Sequence, residues 1–129
     1  MKELEEAEAW VAGAEALLNR KSSEADYTVA VAMCVHAIIR ANDALTNRFL
    51  FKTAMKHEEA PELFLRLVEQ GKIDKKYDSI RKEILIPAVR IKSLVDYRGA
   101  TITQPTAQSW IGSARKFIKI AKDCLTPQQ

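Results

Sequence analysis

Apolar residues recur at three- and four-residue steps along most of the chain, and this spacing predicts amphipathic helices. A first helix is predicted over residues 2–18, with one apolar stripe made of Leu4, Ala7, Val11, Ala14 and Leu18. Ser23, with Asp26 three residues later, resembles a capping box and should start a second helix that runs to about Lys52. Because residues 29–41 are apolar almost all round, this second helix should be the most buried one.

Proline and glycine divide the middle of the chain into two further helical stretches. A third helix is predicted over about residues 58–70, because Pro61 suits a first turn and Gly71 suits a helix stop. A fourth stretch covers about residues 75–97 and contains Pro87. Proline lacks a backbone N–H group, so Pro87 should kink this helix or split it in two.

A last helix should follow the break at Arg98, Gly99 and Ala100, with Thr103 as its N-cap. Its inner stripe is wide and consists of Trp110, Ala114, Phe117 and Ala121, extended by Ile111, Ile118 and Leu125. Residues 126–129 form a short tail. Four or five antiparallel helices with short connections predict an all-α up-and-down bundle, with residues 1–129 as a single domain.

Composition narrows the function classes. The chain is 47% apolar and 29% charged, as in folded soluble domains, and its longest apolar run, residues 29–35, is too short to cross a bilayer. The beginning of the sequence has no hydrophobic region of a secretory signal, so we expect a cytoplasmic protein without a membrane partner. Cys34 and Cys124 lack the spacing of a zinc site and are expected to be buried free thiols, with a disulfide between them as the alternative.

Charge is distributed unevenly although the net charge is only +3. Residues 1–30 carry seven acidic and three basic side chains, whereas residues 65–129 carry thirteen basic and six acidic ones. This asymmetry indicates either a basic face for phosphates or an acidic helix packed against a basic one, and we favour the second interpretation.

Four polar residues interrupt the apolar second helix, namely His36, Arg40, Asp43 and Asn47. Their steps of four, three and four residues place them within about 60° of one another on a helix that turns ~100° per residue. This polar stripe has three interpretations: a buried network with Arg40 bound to Asp43 and Asn47 bound to a backbone group, a groove for a ligand or partner, or a solvated face. The first is the structural interpretation, and the second would make Arg40 an anion-binding residue.

His57 is the only other histidine, and its spacing fits no metal site. No second His lies four residues after it, and no Glu-x-x-His pair of the kind used by di-iron bundles occurs in the chain. Glycine-rich phosphate loops and nucleophile elbows are also absent from the sequence. We therefore predict neither a metal nor a cofactor.

Several short motifs follow one another between Ala7 and Leu125. They are His36-Ala37, Asp43-Ala44-Leu45, His57-Glu58-Glu59-Ala60, and residues 92–97 followed by Ile102-Thr103 and Ala107. Their order resembles that of HEPN domains, small helical proteins associated with nucleotides and RNA, and most closely a group of bacterial and archaeal HEPN-like proteins. The resemblance implies a helical bundle that pairs as a homodimer through its long helices.

Catalytic HEPN proteins cut RNA with an Arg, four to six residues and a His, on paired subunits. This chain departs from that motif, because eight residues separate Arg48 from His57 and no His follows Arg90. Lys92 stands at the Arg position of the family's Asp-Tyr version. The resemblance therefore implies a binding module more than a nuclease.

The predicted function is a non-catalytic HEPN-like module that binds a nucleotide, RNA or a partner protein such as a small nucleotidyltransferase. Its expected binding residues are Arg40, Asp43, Asn47, Lys92, Asp96 and Tyr97, in a groove that His57 and residues 92–97 would rim. Two alternatives remain: a metal-independent, toxin-like ribonuclease with His36 and His57 as catalytic candidates, and a structural bundle that forms oligomers. Basic residues of the last two helices would favour nucleic acid if they clustered on one surface.

Overall fold

The computed structural model describes residues 1–20, 23–97 and 101–126, without the side chains of residues 94–97. Within these residues the chain is an all-α bundle and contains no strand. Its helices are α1 (Lys2–Leu18), α2 (Glu24–Leu50), α3 (Ala60–Glu69), the single turn α4 (Asp78–Ile80), α5 (Ile86–Tyr97) and α6 (Gln104–Leu125). The predicted all-α bundle is confirmed. The predicted break at residues 98–100 and the tail residues 127–129 lie outside the described residues.

Local signals set most of the helix ends. The Ser23 side chain accepts a hydrogen bond from the Asp26 amide while the Asp26 side chain accepts one from the Ser23 amide, so the predicted capping box is confirmed. Thr103 caps α6 through the Thr106 amide. Gly71 follows α3 with a left-handed backbone, φ 68°.

The fourth predicted stretch is continuous but contains a π-helical turn, Arg81–Leu85, between α4 and α5. The Ile86 amide bonds to the carbonyl of Arg81, five residues earlier. Pro87, which follows directly, has no N–H group, and its ring would clash with the carbonyl four residues earlier in a regular α-helix. The wider turn relieves this conflict, so Pro87 disturbs the helix locally without splitting it.

Helix α2 is the centre of the bundle, as the sequence predicts, and packs against α1, α3, α5 and α6. Its residues from Ala41 to Thr46 are all buried. The rings of Phe64 and Phe117 lie 6.0 Å apart between α3 and α6.

Both cysteines are free. Burial raises the pKa of the buried Cys34 thiol to about 12 and that of the half-buried Cys124 thiol to about 11.

Ion pairs between acidic residues of α1 and basic residues of α6 join these two helices. Glu15 and Glu8 of α1 form ion pairs with Arg115 and Lys122 of α6. The pairing order also shows that α1 and α6 are antiparallel. The interpretation of an acidic helix packed against a basic one is confirmed.

Among the described residues, α2 is the one helix with the length and composition of a membrane span. Of its most apolar window, 67% is buried inside the bundle. The core helix of a bundle is apolar because it is buried on most sides, and this burial accounts for the hydropathy of α2.

Candidate functional site

The polar stripe of α2 faces α1. Arg40 Nε donates to Glu6 Oε2 at 2.5 Å, and Arg40 donates a second hydrogen bond from its terminal nitrogen to Asp43 Oδ2 at 3.2 Å. The bond from Arg40 lowers the pKa of Glu6 below its usual value. Because both partners are carboxylates, the charge of Arg40 is balanced within the protein in this structure.

Asp43 is the buried member of this network, with 8% of its side chain exposed. Burial raises the pKa of its carboxyl group, although the bond from Arg40 and the Ala54 amide both oppose that shift. Its Oδ1 atom has no hydrogen bond of ordinary geometry to any residue that the structure describes. The neighbouring Asn42 is fully buried and donates from Nδ2 to the Ala60 carbonyl oxygen at 3.3 Å, which fixes the start of α3 on α2.

Asn47 completes the stripe and differs from the prediction. The structural interpretation assigned it a backbone partner, but its Nδ2 donates to the Glu3 carboxylate at 3.2 Å and its Oδ1 accepts from the Thr53 hydroxyl at 2.6 Å. The correction has a geometric cause: α1 lies antiparallel to α2, so that Glu3 reaches Asn47 where Glu6 reaches Arg40. Asn47 thereby ties the loop after α2 to both helices.

The two histidines come together although 21 positions separate them in the sequence. The His36 ring stacks on Trp10 of α1, with ring centroids 4.9 Å apart and an angle of 21° between the planes. The His57 ring meets His36 edge to face, at 6.0 Å between centroids and 84° between planes. Trp10 was missed at the sequence level; its signal was a large aromatic residue outside the apolar stripe of α1.

His57 and Lys92 line one groove, as the sequence predicts. This groove, hereafter the His57 groove, has a volume of about 200 Å³ and is lined by Lys56, His57, Glu58, Val89, Lys92 and Ser93. Arg40 and Asp43 are not among its walls. The side chains of Asp96 and Tyr97 lie outside the described residues. Lys56 was not predicted, although its place beside His57 in a basic segment was a usable signal.

Acidic partners are interspersed among the basic residues of the last helices. Five of these basic residues form ion pairs: Arg81 with Asp78, Arg115 with Glu15, Lys116 with Glu83, Lys119 with Asp123, and Lys122 with Glu8. These pairs reduce the positive charge that the described part of these helices presents to a nucleic acid. The candidate cations that line a groove with a histidine are Lys56 and Lys92.

A larger groove, with a volume of about 370 Å³, lies elsewhere, where α2 and α6 end. Arg48, Lys72 and Lys76 line it together with Asp74 and Asp123. The cations lie near the negative ends of these helices, which they stabilise, and near two carboxylates of opposite charge. Such a mixture of charges at helix ends is typical of residues that stabilise the helices.

The described residues bring no three His, Cys, Asp or Glu side chains together as metal ligands. The chain matches no protein-family model, no curated protein and no solved structure. The HEPN resemblance therefore rests on the motifs quoted above.

Proposed function

We propose that this protein is a HEPN-like module that binds RNA by holding backbone phosphates in the His57 groove. The observation that carries the proposal is that Lys56 and His57, from the turn before α3, line the same groove as Lys92 of α5. Two lysines and an imidazole are suitable donors for a phosphodiester. The π-helical turn just before α5 adds support, because such turns are frequent at functional sites.

The size of the groove favours RNA over an enclosed nucleotide. Pockets for small ligands usually have volumes of about 300–1,000 Å³. The His57 groove, at about 200 Å³, can hold a phosphate and part of a ribose while the rest of an RNA strand continues over the surface. A small nucleotidyltransferase as protein partner, and a cytoplasmic location, are further parts of the proposal that the resemblance supports.

The state of Arg40 favours binding without catalysis. Cleavage of RNA needs a cation beside the developing negative charge as well as groups that transfer protons. Arg40 is the cation closest to His36 along the stripe, and its donors are bound to Glu6 and Asp43. Its charge is therefore used within the protein.

RNA binding can be measured by fluorescence anisotropy with a labelled 12-nucleotide single strand at several salt concentrations. Lys56→Ala and Lys92→Ala should each weaken binding, and each should reduce the slope of log K against log salt by about 1, because one phosphate contact is lost. Lys82→Ala is the control, since Lys82 is exposed outside the His57 groove. Unchanged affinity and slope in both groove variants would refute the proposed function.

One observation favours a second candidate, a metal-independent ribonuclease. His36 and His57 are 6.0 Å apart, close enough for one imidazole to accept a proton from a 2′-hydroxyl while the other donates one to the leaving oxygen. Purified protein should then cut RNA in the presence of EDTA with a bell-shaped pH profile. His36→Ala and His57→Ala should each lower the rate by about 10²–10⁴-fold. An intact RNA substrate after prolonged incubation would leave the binding module as the function.

We also propose a homodimer that forms through the faces of α1 and α2. Glu6, Ala9, Trp10 and Met33 line a mostly apolar groove of about 320 Å³ on these helices. Nearby Val29 is also exposed, whereas the bundle itself covers most of the other apolar residues of α2. Ala9→Arg places a charge in this groove and should convert a dimer into a monomer, while Gln108→Arg on α6 should not. A wild-type mass of 14.5 kDa by light scattering would contradict the dimer.

A further inference from the structure

Two large apolar side chains project into solvent from the loop that leads to the His57 groove. Phe51 is 90% exposed and Met55 is 88% exposed, far more than the other large apolar residues of the described chain. Each is followed by a lysine, Lys52 and Lys56, before the loop reaches His57. Exposure of this degree removes any role for either side chain in the core, so folding alone does not explain them.

The backbone at Phe51 is in an unfavourable conformation. Phe51 ends α2 in the left-handed region, at φ 55° and ψ 37°, and is the one residue other than glycine with a positive φ in the described chain. Glycine is the usual residue at such a position because a side chain is disfavoured there. A phenylalanine that neither packs inside the protein nor suits its backbone is typical of a residue retained for an external contact.

The loop is nevertheless held firmly in place. The Lys52 amide bonds to the Thr46 carbonyl oxygen at 3.3 Å, and the Thr53 hydroxyl donates to Asn47 Oδ1 at 2.6 Å. At the far end, the Met55 amide donates to the Glu59 carboxylate at 3.1 Å. Because both ends are anchored, Phe51 and Met55 are presented in a fixed position, which lowers the entropy lost when they bind.

The surrounding charge indicates what these side chains contact. From Arg48 to His57 the chain contains three Lys or Arg residues and no acidic residue. An apolar aromatic ring between cations is suited to single-stranded nucleic acid, because the ring stacks on a base while the cations hold the phosphates. A protein surface would need acidic groups at this spacing, and a duplex would leave no unpaired base for the ring.

We propose, resting on the RNA-binding function above, that Phe51 is a stacking platform that makes single-stranded RNA the ligand of this protein. Five residues lie between Phe51 and His57, so the two residues are at most about 20 Å apart along an extended chain. The stacked base therefore lies within a few nucleotides of the phosphate in the His57 groove. Met55 covers the edge of the same base or of its neighbour.

The test compares a 12-nucleotide single-stranded RNA with a duplex of the same sequence, by anisotropy. Phe51→Ala should weaken single-strand binding by about 5- to 100-fold, the range for loss of one stacked base, and should leave duplex binding unchanged. Phe51→Tyr keeps the aromatic ring and should retain the affinity, whereas Phe51→Leu should not. Gln108→Ala, at an exposed position on α6 away from this loop, is the control.

A second measurement detects stacking directly. RNA that contains 2-aminopurine should lose fluorescence on binding wild-type protein, because stacking on an aromatic ring quenches this base, and should lose less with Phe51→Ala. If Phe51→Ala binds normally while Lys92→Ala does not, the groove function stands and the stacking platform is wrong. If the wild type binds no RNA, both proposals fail. Phe51-dependent binding to phosphatidylserine vesicles, without a Phe51 effect on RNA, would replace RNA by a membrane surface.

Discussion

At the scale of single residues, most of the polar stripe serves to connect elements. Arg40 joins α1 to α2, and Asn47 anchors the loop after α2. Asn42, which lies beside the stripe, joins α2 to α3. His36 is the member of the stripe that makes ring contacts with both Trp10 and His57. The stripe therefore joins the elements that surround the candidate site.

Replacing Arg40 by alanine should expose the effect of burying Asp43. The free energy of unfolding at pH 7 should fall by about 2–3 kcal/mol, somewhat less than for a fully buried pair because Arg40 is 29% exposed. Burial already raises the pKa of Asp43, and loss of Arg40 should raise it further. When folding raises the pKa of a carboxyl group, the folded protein becomes less stable as the pH rises toward that pKa. Arg40→Ala should therefore lower the free energy of unfolding more at pH 7 than at pH 5.

Two controls separate this explanation from a simple loss of packing. Arg40→Ala with Asp43→Asn removes both charges and should recover much of the lost stability at pH 7. Glu6→Gln leaves the Arg40–Asp43 pair intact and should have a much smaller effect, because Glu6 is at the surface. Denaturant unfolding at both pH values measures each variant. Equal losses for Arg40→Ala at pH 5 and pH 7 would contradict the buried-charge explanation.

Phe51→Gly should make the protein more stable. The left-handed backbone at Phe51 favours glycine, and the side chain loses few contacts because it is exposed, so the variant should gain about 0.5–1 kcal/mol. Lys52→Gly, one residue later and without a positive φ, should gain nothing. Thermal melting compares the two variants. A stable Phe51→Gly protein that binds single-stranded RNA poorly would show that stability was exchanged for function at this position.

At the scale of helices, the sequence was informative where a local signal existed. The Ser23–Asp26 box, the Thr103 cap and the glycine after α3 act within one turn, and the predicted ends lie within a few residues of the observed ones. The π-helical turn could not be predicted, because Pro87 alone permits a kink, a break or a wider turn. Its form depends on packing against the rest of the bundle.

The candidate site was less predictable because its contacts are long-range. Helical spacing placed four polar residues on one face of α2, but it could not show that Glu3 and Glu6 would lie opposite Asn47 and Arg40. It also could not show that His57 returns to His36. These contacts follow from how α1 and the turn before α3 pack on α2, which is information that periodicity does not contain.

The cap of α2 provides a test at this scale. Ser23→Ala removes the acceptor for the Asp26 amide and should lower the free energy of unfolding by about 1 kcal/mol. Ser109→Ala lies at an exposed position inside α6, where alanine favours the helix, and should not destabilise the protein. Denaturant unfolding of the pair provides the comparison. An equal effect of the two substitutions would show that the cap does not contribute.

At the scale of the whole molecule, the reactivity of the two cysteine thiols measures how readily the bundle opens. Cys34 is completely buried and its pKa is raised to about 12, whereas Cys124 is half-buried with a pKa raised to about 11. In native protein at pH 8, Ellman's reagent should modify Cys124 slowly and Cys34 only when the bundle opens. Cys124→Ser should therefore abolish native-state labelling, and Cys34→Ser should preserve it. Comparable labelling of both thiols would indicate that the core opens locally.

The π-helical turn also sets the rotational phase of α5. A π turn contains one residue more than an α-helical turn, so every residue after Leu85 is displaced by ~100° around the helix axis relative to an uninterrupted α-helix. At this displaced phase, Lys92 lines the same groove as His57. Shortening the turn by one residue would restore a regular helix up to Pro87 and would point the lysine away from its groove. A relative of this protein that lacks one residue between Arg81 and Leu85 would therefore keep the bundle and lose the lysine from this wall. The length of this segment would thus indicate whether the groove is retained.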